Sequence, residues 1–307
     1  MPDDQPTITS EYVVEQLFPR QQVSLISGPS GAGKTTLALQ ILDEWAASAT
    51  VLDHPARAVP LCFVACDRTD RALRAHMRRM DINPAHVPHC SLVKYHRREE
   101  RSIETAVKAA IACCPVARVL FIDGMSTLCP GKVTDLRDVA DFLLTTLRLC
   151  ESHDVTIIGT VLSVKTREGE GYVSARDRII GSGAWAALTD TKLFIEPTQP
   201  KKPEDPGRSV TIVTAYGTST RFYAFDNCRL VGRGAEIIQP DLDHWLLSLS
   251  PGAPLSLEDI LAAAASFSIG RTKTWDWITA QVELGALVRT GRGKYETPGG
   301  AGRIAVQ

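Results

Sequence analysis

The chain has 307 residues, 44% of them hydrophobic, and its 34 basic and 35 acidic side chains leave a formal net charge of −1. That length is enough for a sizeable core, with room for one large domain and one small one, and the near-neutral balance excludes polyanion binding by the whole surface. Eight cysteines with no C-x-x-C pair argue against a disulfide framework or a zinc site, no apolar run reaches membrane-spanning length, and Met1-Pro2-Asp3-Asp4 lacks the features of a leader, so the expectation is a cytoplasmic protein with no membrane partner.

In chain order, residues 11–18 form a short amphipathic segment ended by Pro19, read either as a helical lid on a sheet or as a contact to a nucleotide base. Val23-Ser24-Leu25-Ile26-Ser27 reads as a buried strand. Gly28-Pro29-Ser30-Gly31-Ala32-Gly33-Lys34-Thr35 then fits the phosphate-loop pattern G-x-x-x-x-G-K-[ST] in full, and residues 36–42, from Thr36 on, carry a helical apolar pattern. In such a loop the glycines turn successive N–H groups toward phosphate oxygens, and the helix presents its positive end to the same charge. Lys34 is expected to reach the β- and γ-phosphates of ATP, and Thr35 to place its hydroxyl on Mg²⁺.

Leu61-Cys62-Phe63-Val64-Ala65 suits a strand buried on both faces, running into Cys66-Asp67. Asp67 has two readings: it orients or deprotonates an attacking water, or it caps the helix expected over 69–80. A short strand at 91–93, a charged stretch over 96–101 and a helix over 102–114 ended by Pro115 follow. Arg118-Val119-Leu120-Phe121-Ile122-Asp123-Gly124 delivers a second carboxylate from a buried strand, and Asp123 is expected to hold the magnesium shell beside Thr35. A scaffold helix over 135–152 and a core strand over 155–161 continue the alternation, which calls for a parallel sheet with right-handed crossovers.

Residues 165–178 change character, becoming polar and glycine-containing. Lys165, Arg167, Arg176 and Arg178 are candidates for a DNA backbone, diluted by Glu168, Glu170 and Asp177, so a merely solvated loop is the other reading. From 191 the pattern is β, with runs at 192–196, 209–215, 221–225 and 235–238 expected as antiparallel additions to the sheet. A Pro/Gly/Ser connector near 248–254 places a domain boundary, giving 1–248 and 249–307. Helices over 256–266 and 271–284 and a hairpin around Gly291-Arg292-Gly293 match the winged-helix plan, with Arg271 and Lys273 on the recognition helix and Arg292 at the wing. Such a domain reads DNA or contacts a protein.

The phosphate loop, Asp123, the strand from Thr156 to Thr160 and Gly181-Ser182-Gly183-Ala184-Trp185 together resemble the RecA-like ATPases, and within them the group of the plasmid RepA hexameric helicase, over residues 7–240. The resemblance implies an α/β fold, a twisted and mostly parallel sheet flanked by helices, with ATP and Mg²⁺ held by Lys34, Thr35 and Asp123. It also implies homo-oligomeric, hexameric rings that pass single-stranded DNA through a channel, with duplex as a further partner at the winged helix. Three positions depart from the pattern. Cys66-Asp67 stands where relatives place a catalytic glutamate, Thr160-Val161-Leu162-Ser163 offers only hydroxyls at the γ-phosphate sensor, and Val213-Thr214-Ala215-Tyr216 lacks the trans-acting cation, for which Arg221 is the nearest candidate. The expected function is an ATP-hydrolysing DNA helicase or helicase-related motor. The alternative is a nucleotide-dependent DNA-binding regulator or loader with weak ATPase activity.

Overall fold

The computed structural model describes residues 11–94, 100–163, 184–198, 206–214, 217–226, 228–232, 237–238, 246, 249, 252–266, 271–283, 287–291 and 293–297. They fall into two compact units divided between Ile237 and Ile238.

The first unit opens with strands β1 (Tyr12–Val14) and β2 (Phe18–Pro19), followed by β3 (Val23–Gly28), α1 (Lys34–Ala47), β4 (Thr50–Val51), β5 (His54–Pro55), β6 (Leu61–Ala65) and α2 (Asp70–Arg79). It continues through β7 (His89–Ser91), α3 (Ile103–Cys113), β8 (Val119–Asp123), α4 (Leu136–His153), β9 (Thr156–Leu162), the short α5 (Ala184–Ala187), β10 (Lys192–Pro197), β11 (Gly207–Thr214), β12 (Gly217–Asp226) and β13 (Arg229–Gly232). The main sheet runs in the order β13-β12-β11-β10-β3-β9-β8-β6-β7. Neighbours from β10 to β7 are parallel, and those from β10 to β13 antiparallel.

Both faces of the sheet are covered, which is why β6 and β8, up to Asp123, read as unbroken apolar runs. Because strand side chains alternate, Ile26 joins Phe63, Phe121 and Ile158 in one core with Leu37, Ile41 and Trp45 of α1 and Leu73 and Met77 of α2. Leu25 faces the other way, with Val64, Leu120 and Ile122, against Ala106 and Ala110 of α3 and Phe142 and Leu143 of α4. The parallel strands leave their C-terminal ends on one edge, so the chain emerging from β3, β6, β8 and β9 converges there.

Several local expectations are corrected. Residues 11–18 are an antiparallel pair, with Tyr12 opposite Pro19 and Val14 opposite Phe18. Val13, Val14, Leu17 and Phe18 are all buried, the adjacent valines disfavour a helix, and Gln16 turns the chain at φ 55°. The cap of α2 is Thr69, whose hydroxyl accepts from the Ala72 N–H, so Asp67 is not the cap. The strand expected at 91–93 lies at His89–Ser91. Strand β10 is not wholly antiparallel: it pairs parallel with β3 and antiparallel only with β11. All eight cysteines are free; Cys62, Cys66, Cys129 and Cys150 are buried as expected of small core residues, whereas Cys113 and Cys228 are exposed.

The second unit has β14 (Pro254–Ser256), α6 (Leu257–Ser266), α7 (Arg271–Glu283), β15 (Val288–Gly291) and β16 (Lys294–Glu296), with β16 in the middle of a three-stranded antiparallel sheet. Leu246, Leu255, Ile260, Ile278, Leu287 and Tyr295 make its small core.

Trp185 is fully buried, its ring 5.7 Å from that of Phe142 and inclined at 61°. Trp185→Ala is expected to cost about 3–5 kcal/mol, read as a lower midpoint of urea unfolding, and Trp185→Phe, which keeps an aromatic ring beside Phe142, to cost less.

Candidate nucleotide site

The loop after β3 has the geometry that its glycines permit. Gly31 and Gly33 sit at φ 79° and 108°, in the left-handed region, and a Cβ at Gly33 would run into the Phe225 ring of β12. The Ala32 carbonyl accepts from Arg208 Nε at 3.0 Å, and the Arg208 guanidinium lies 4.7 Å over the same Phe225 ring. Lys34 Nζ donates to the carbonyls of Gly28 at 2.8 Å and Pro29 at 3.0 Å, so its amine is held over the loop. Burial pushes the Lys34 pKa down, against the opposing pull of Asp123 and Asp67.

At the neighbouring corner, Thr35 Oγ1 donates to the Asp123 carboxylate, 2.9 Å from Oδ2 and 3.1 Å from Oδ1. Thr160 Oγ1 donates to Asp123 Oδ1 at 2.8 Å and accepts from the Gly124 N–H at 2.7 Å. This convergence follows from strand order: β9 lies between β3 and β8, with Thr160 opposite Ile26 and Gly159 opposite Ile122. Burial raises the Asp123 pKa, and the hydrogen bonds from Thr160 and Thr35 pull it back. A buried carboxylate beside a hydroxyl is an all-oxygen donor pair, which fits a hard ion such as Mg²⁺ that takes its other ligands from water and phosphate.

Asp67 lies beside Gly124, where an added Cβ would be 3.4 Å from the Asp67 Cγ, and its side chain is half exposed. Arg68 follows it into the site, with Nη2 3.3 Å from Thr35 Oγ1. Thr36 Oγ1 is 3.2 Å from Nε2 of His76 on α2. The His76 pKa is lowered to about 4 by burial, with Arg68 and Arg79 adding to the effect, so the ring is neutral at pH 7. A cavity of about 420 Å³ is lined by Ser30, Lys34, Thr35, Asp67, Arg68 and Asp123, among others.

The structure thus brings together the loop from Gly28 to Thr36, Asp67 and Asp123. Sequence reasoning missed Arg68, His76, Arg208 and Phe225. Only Arg68 had a local signal, as the neighbour of Asp67. Arg221, the nearest candidate for a trans-acting cation, pairs within its own chain, with Nη1 2.9 Å from the exposed Asp53 Oδ2. Of the nucleic-acid candidates, Lys165, Arg167, Arg176, Arg178 and Arg292 lie outside the described residues; Arg271 opens α7 and is exposed, and Lys273 lies on the same helix.

No curated protein matches the chain. Among solved structures, the KaiC-like protein PH0186 from the hyperthermophilic archaeon Pyrococcus horikoshii OT3 is similar with a TM-score of 0.51 at 17% identity, covering 74% of this chain and 96% of that one. At that identity the likeness concerns the fold, which is RecA-like. Residues 3–168, more than half of the chain, match the AAA domain family, and the protein belongs to that family as a P-loop ATPase domain.

Proposed function

We propose that the protein binds and hydrolyses ATP and couples the cycle to DNA, as an oligomeric helicase or helicase-related motor of the RepA type. The observation that carries the reading is the meeting of the phosphate loop with Asp123: Thr35 and the buried carboxylate lie 2.9 Å apart at the mouth of a loop whose lysine is already in place.

In this reading the loop N–H groups and Lys34 bind the triphosphate, and Thr35 and Asp123 would hold Mg²⁺, which supplies charge neutralisation at the β- and γ-phosphates. Asp67, half exposed at the end of β6, orients the attacking water and takes its proton. The water oxygen bonds to the γ-phosphorus. The bond to the bridging oxygen breaks, leaving its electron pair on ADP, and phosphate departs. Support for a DNA partner comes from the second unit, where two helices precede a hairpin and Arg271 and Trp275 are both exposed one turn apart on α7. Rings of six and a single strand in the channel rest on the resemblance to the RepA group.

A second reading, a nucleotide-switched DNA-binding regulator with slow turnover, has one observation in its favour. The hydroxyl at the γ-phosphate sensor position, Thr160, is engaged with Asp123 and Gly124.

Two measurements test these readings. Hydrolysis of MgATP by the purified full-length chain is expected to rise with single-stranded DNA and to fall by about 100-fold or more in Lys34→Ala; a rate indifferent to both DNA and the substitution ends the motor reading. Deleting residues 251–307 is expected to leave basal hydrolysis in place and to remove binding to duplex DNA, measured by a footprint. A footprint that survives the deletion shows that the second unit is not the duplex contact.

A further inference from the structure

We propose that Arg68 is the cation that stabilises the transferring γ-phosphoryl group, acting within its own chain in place of a residue from a neighbouring subunit. The proposal rests on the ATP-hydrolysing reading given above and names one further residue of the same site.

Three observations carry it. The first is placement. Arg68 follows Asp67 at the C-terminal end of β6 and lines the cavity with Lys34, Thr35 and Asp123. Its backbone is fixed on the C-terminal side, since Ser91 Oγ donates to the Arg68 carbonyl at 2.6 Å and the next residue, Thr69, caps α2. The chain therefore delivers this side chain to the cavity through a clamped stem.

The second is how its charge is held. Arg68 Nη2 lies 3.3 Å from the Thr35 hydroxyl, while Nε stands 3.9 Å from both Asp67 Oδ1 and Asp123 Oδ2. These are long contacts for a guanidinium flanked by two carboxylates. Other arginines of the same unit have close partners: Arg74 lies 2.7 Å from Asp70, Arg20 2.8 Å from Asp154, and Arg221 2.9 Å from Asp53. A side chain 37% exposed with only long contacts exchanges them readily for charge-assisted bonds to phosphate oxygens, which are shorter and roughly twice as strong as neutral ones. A triphosphate seated on the loop presents its terminal group at the corner formed by Lys34, Thr35 and Asp123, and that corner is where the Arg68 guanidinium lies.

The third is need. Arg221 is bound to Asp53, and Val213-Thr214-Ala215-Tyr216 carries no cation. When water adds to the γ-phosphorus and the bridging oxygen leaves with its electron pair, negative charge spreads over the γ-oxygens and the leaving ADP oxygen. Lys34 is one cation for that charge. The five N–H donors of Arg68 supply a second, and its neighbour Asp67 faces the incoming water and accepts the proton.

The test compares hydrolysis with binding in the full-length protein. Arg68→Ala is expected to lower kcat for MgATP by about 100-fold or more while changing the Kd for MgADP by less than about threefold, with an unchanged thermal midpoint. Arg68→Gln, which retains most of the stem, serves if the alanine variant does not fold, and the same loss is expected. Added millimolar guanidinium is expected to restore part of the Arg68→Ala rate. Mixing Arg68→Ala with Lys34→Ala protein is expected to give only the sum of the two residual rates, because in the proposed arrangement the loop and the arginine must belong to one chain; recovered activity on mixing overturns action in cis. Hydrolysis that Lys34→Ala abolishes but Arg68→Ala leaves within about threefold of the wild type overturns the role of Arg68 and spares the ATPase reading. A wild-type chain that does not hydrolyse ATP overturns both.

Discussion

The Asp123 carboxylate is the point on which the rest of the structure depends. It is 3% exposed, and a charge so placed is tolerated only if it is hydrogen-bonded. The two hydroxyls that donate to it come from different elements, Thr35 from the first turn of α1 and Thr160 from β9. Satisfying one side chain therefore ties the end of β8 to the phosphate loop on one side and to the strand between them on the other. The opposing effects on its pKa express the same balance, with burial favouring the neutral acid and the hydrogen bonds favouring the carboxylate.

Around that carboxylate the cavity keeps its charges close to balance. Asp67 and Asp123 face Lys34 and Arg68, and both cations feel the pair: Lys34 is drawn toward its charged form by the two aspartates, and Arg68 stands equidistant from them. His76, neutral at pH 7 because it is buried near Arg68 and Arg79, adds no further positive charge beside Thr36. In the proposed reading an incoming triphosphate would meet a lysine already held by two loop carbonyls at the positive end of α1, and an arginine whose long contacts leave it available. The ordering of Lys34 accompanies folding, which limits what binding itself must organise.

Much of this was legible in the sequence because it is local. A loop motif of eight residues between a strand and a helix fixes its own conformation, and an apolar run ending in aspartate announces a buried strand with its carboxylate at the tip. The helices were found for the same reason, through apolar spacing and stops such as Pro115, and the structure adds the caps, Ser102 for α3 and Asp135 for α4. What was misread depended on partners far along the chain. The segment at 12–19 has the apolar content of an amphipathic helix, but Glu15 N donates to Pro55 O and Arg57 N to Val13 O, so pairing with a distant turn made it extended. Strand β10 looks like its antiparallel followers in composition, and only its place beside β3 makes it parallel on one side. Arg208 and Phe225 gave no sign of belonging to the site, because their contacts with the phosphate loop span more than half of the chain.

Those two residues extend the argument from the site to the outer sheet. Arg208 is the second residue of β11 and Phe225 the last but one of β12, and the two strands are paired along their length with Arg208 opposite Tyr223. One holds the Ala32 carbonyl and the other fills the space over Gly33, so the antiparallel hairpin grips the phosphate loop at two successive residues. Glycine at 33 is then required twice, by its backbone angle and by the ring that occupies the place of a Cβ. The guanidinium is buried, and the half-buried ring it lies over packs against the core on the α1 face of the sheet. In the proposed reading, the shape of the loop that would hold the phosphates rests on these contacts as well as on its own glycines. The added strands are in this sense part of the nucleotide site, although they contribute none of the motifs by which that site is read.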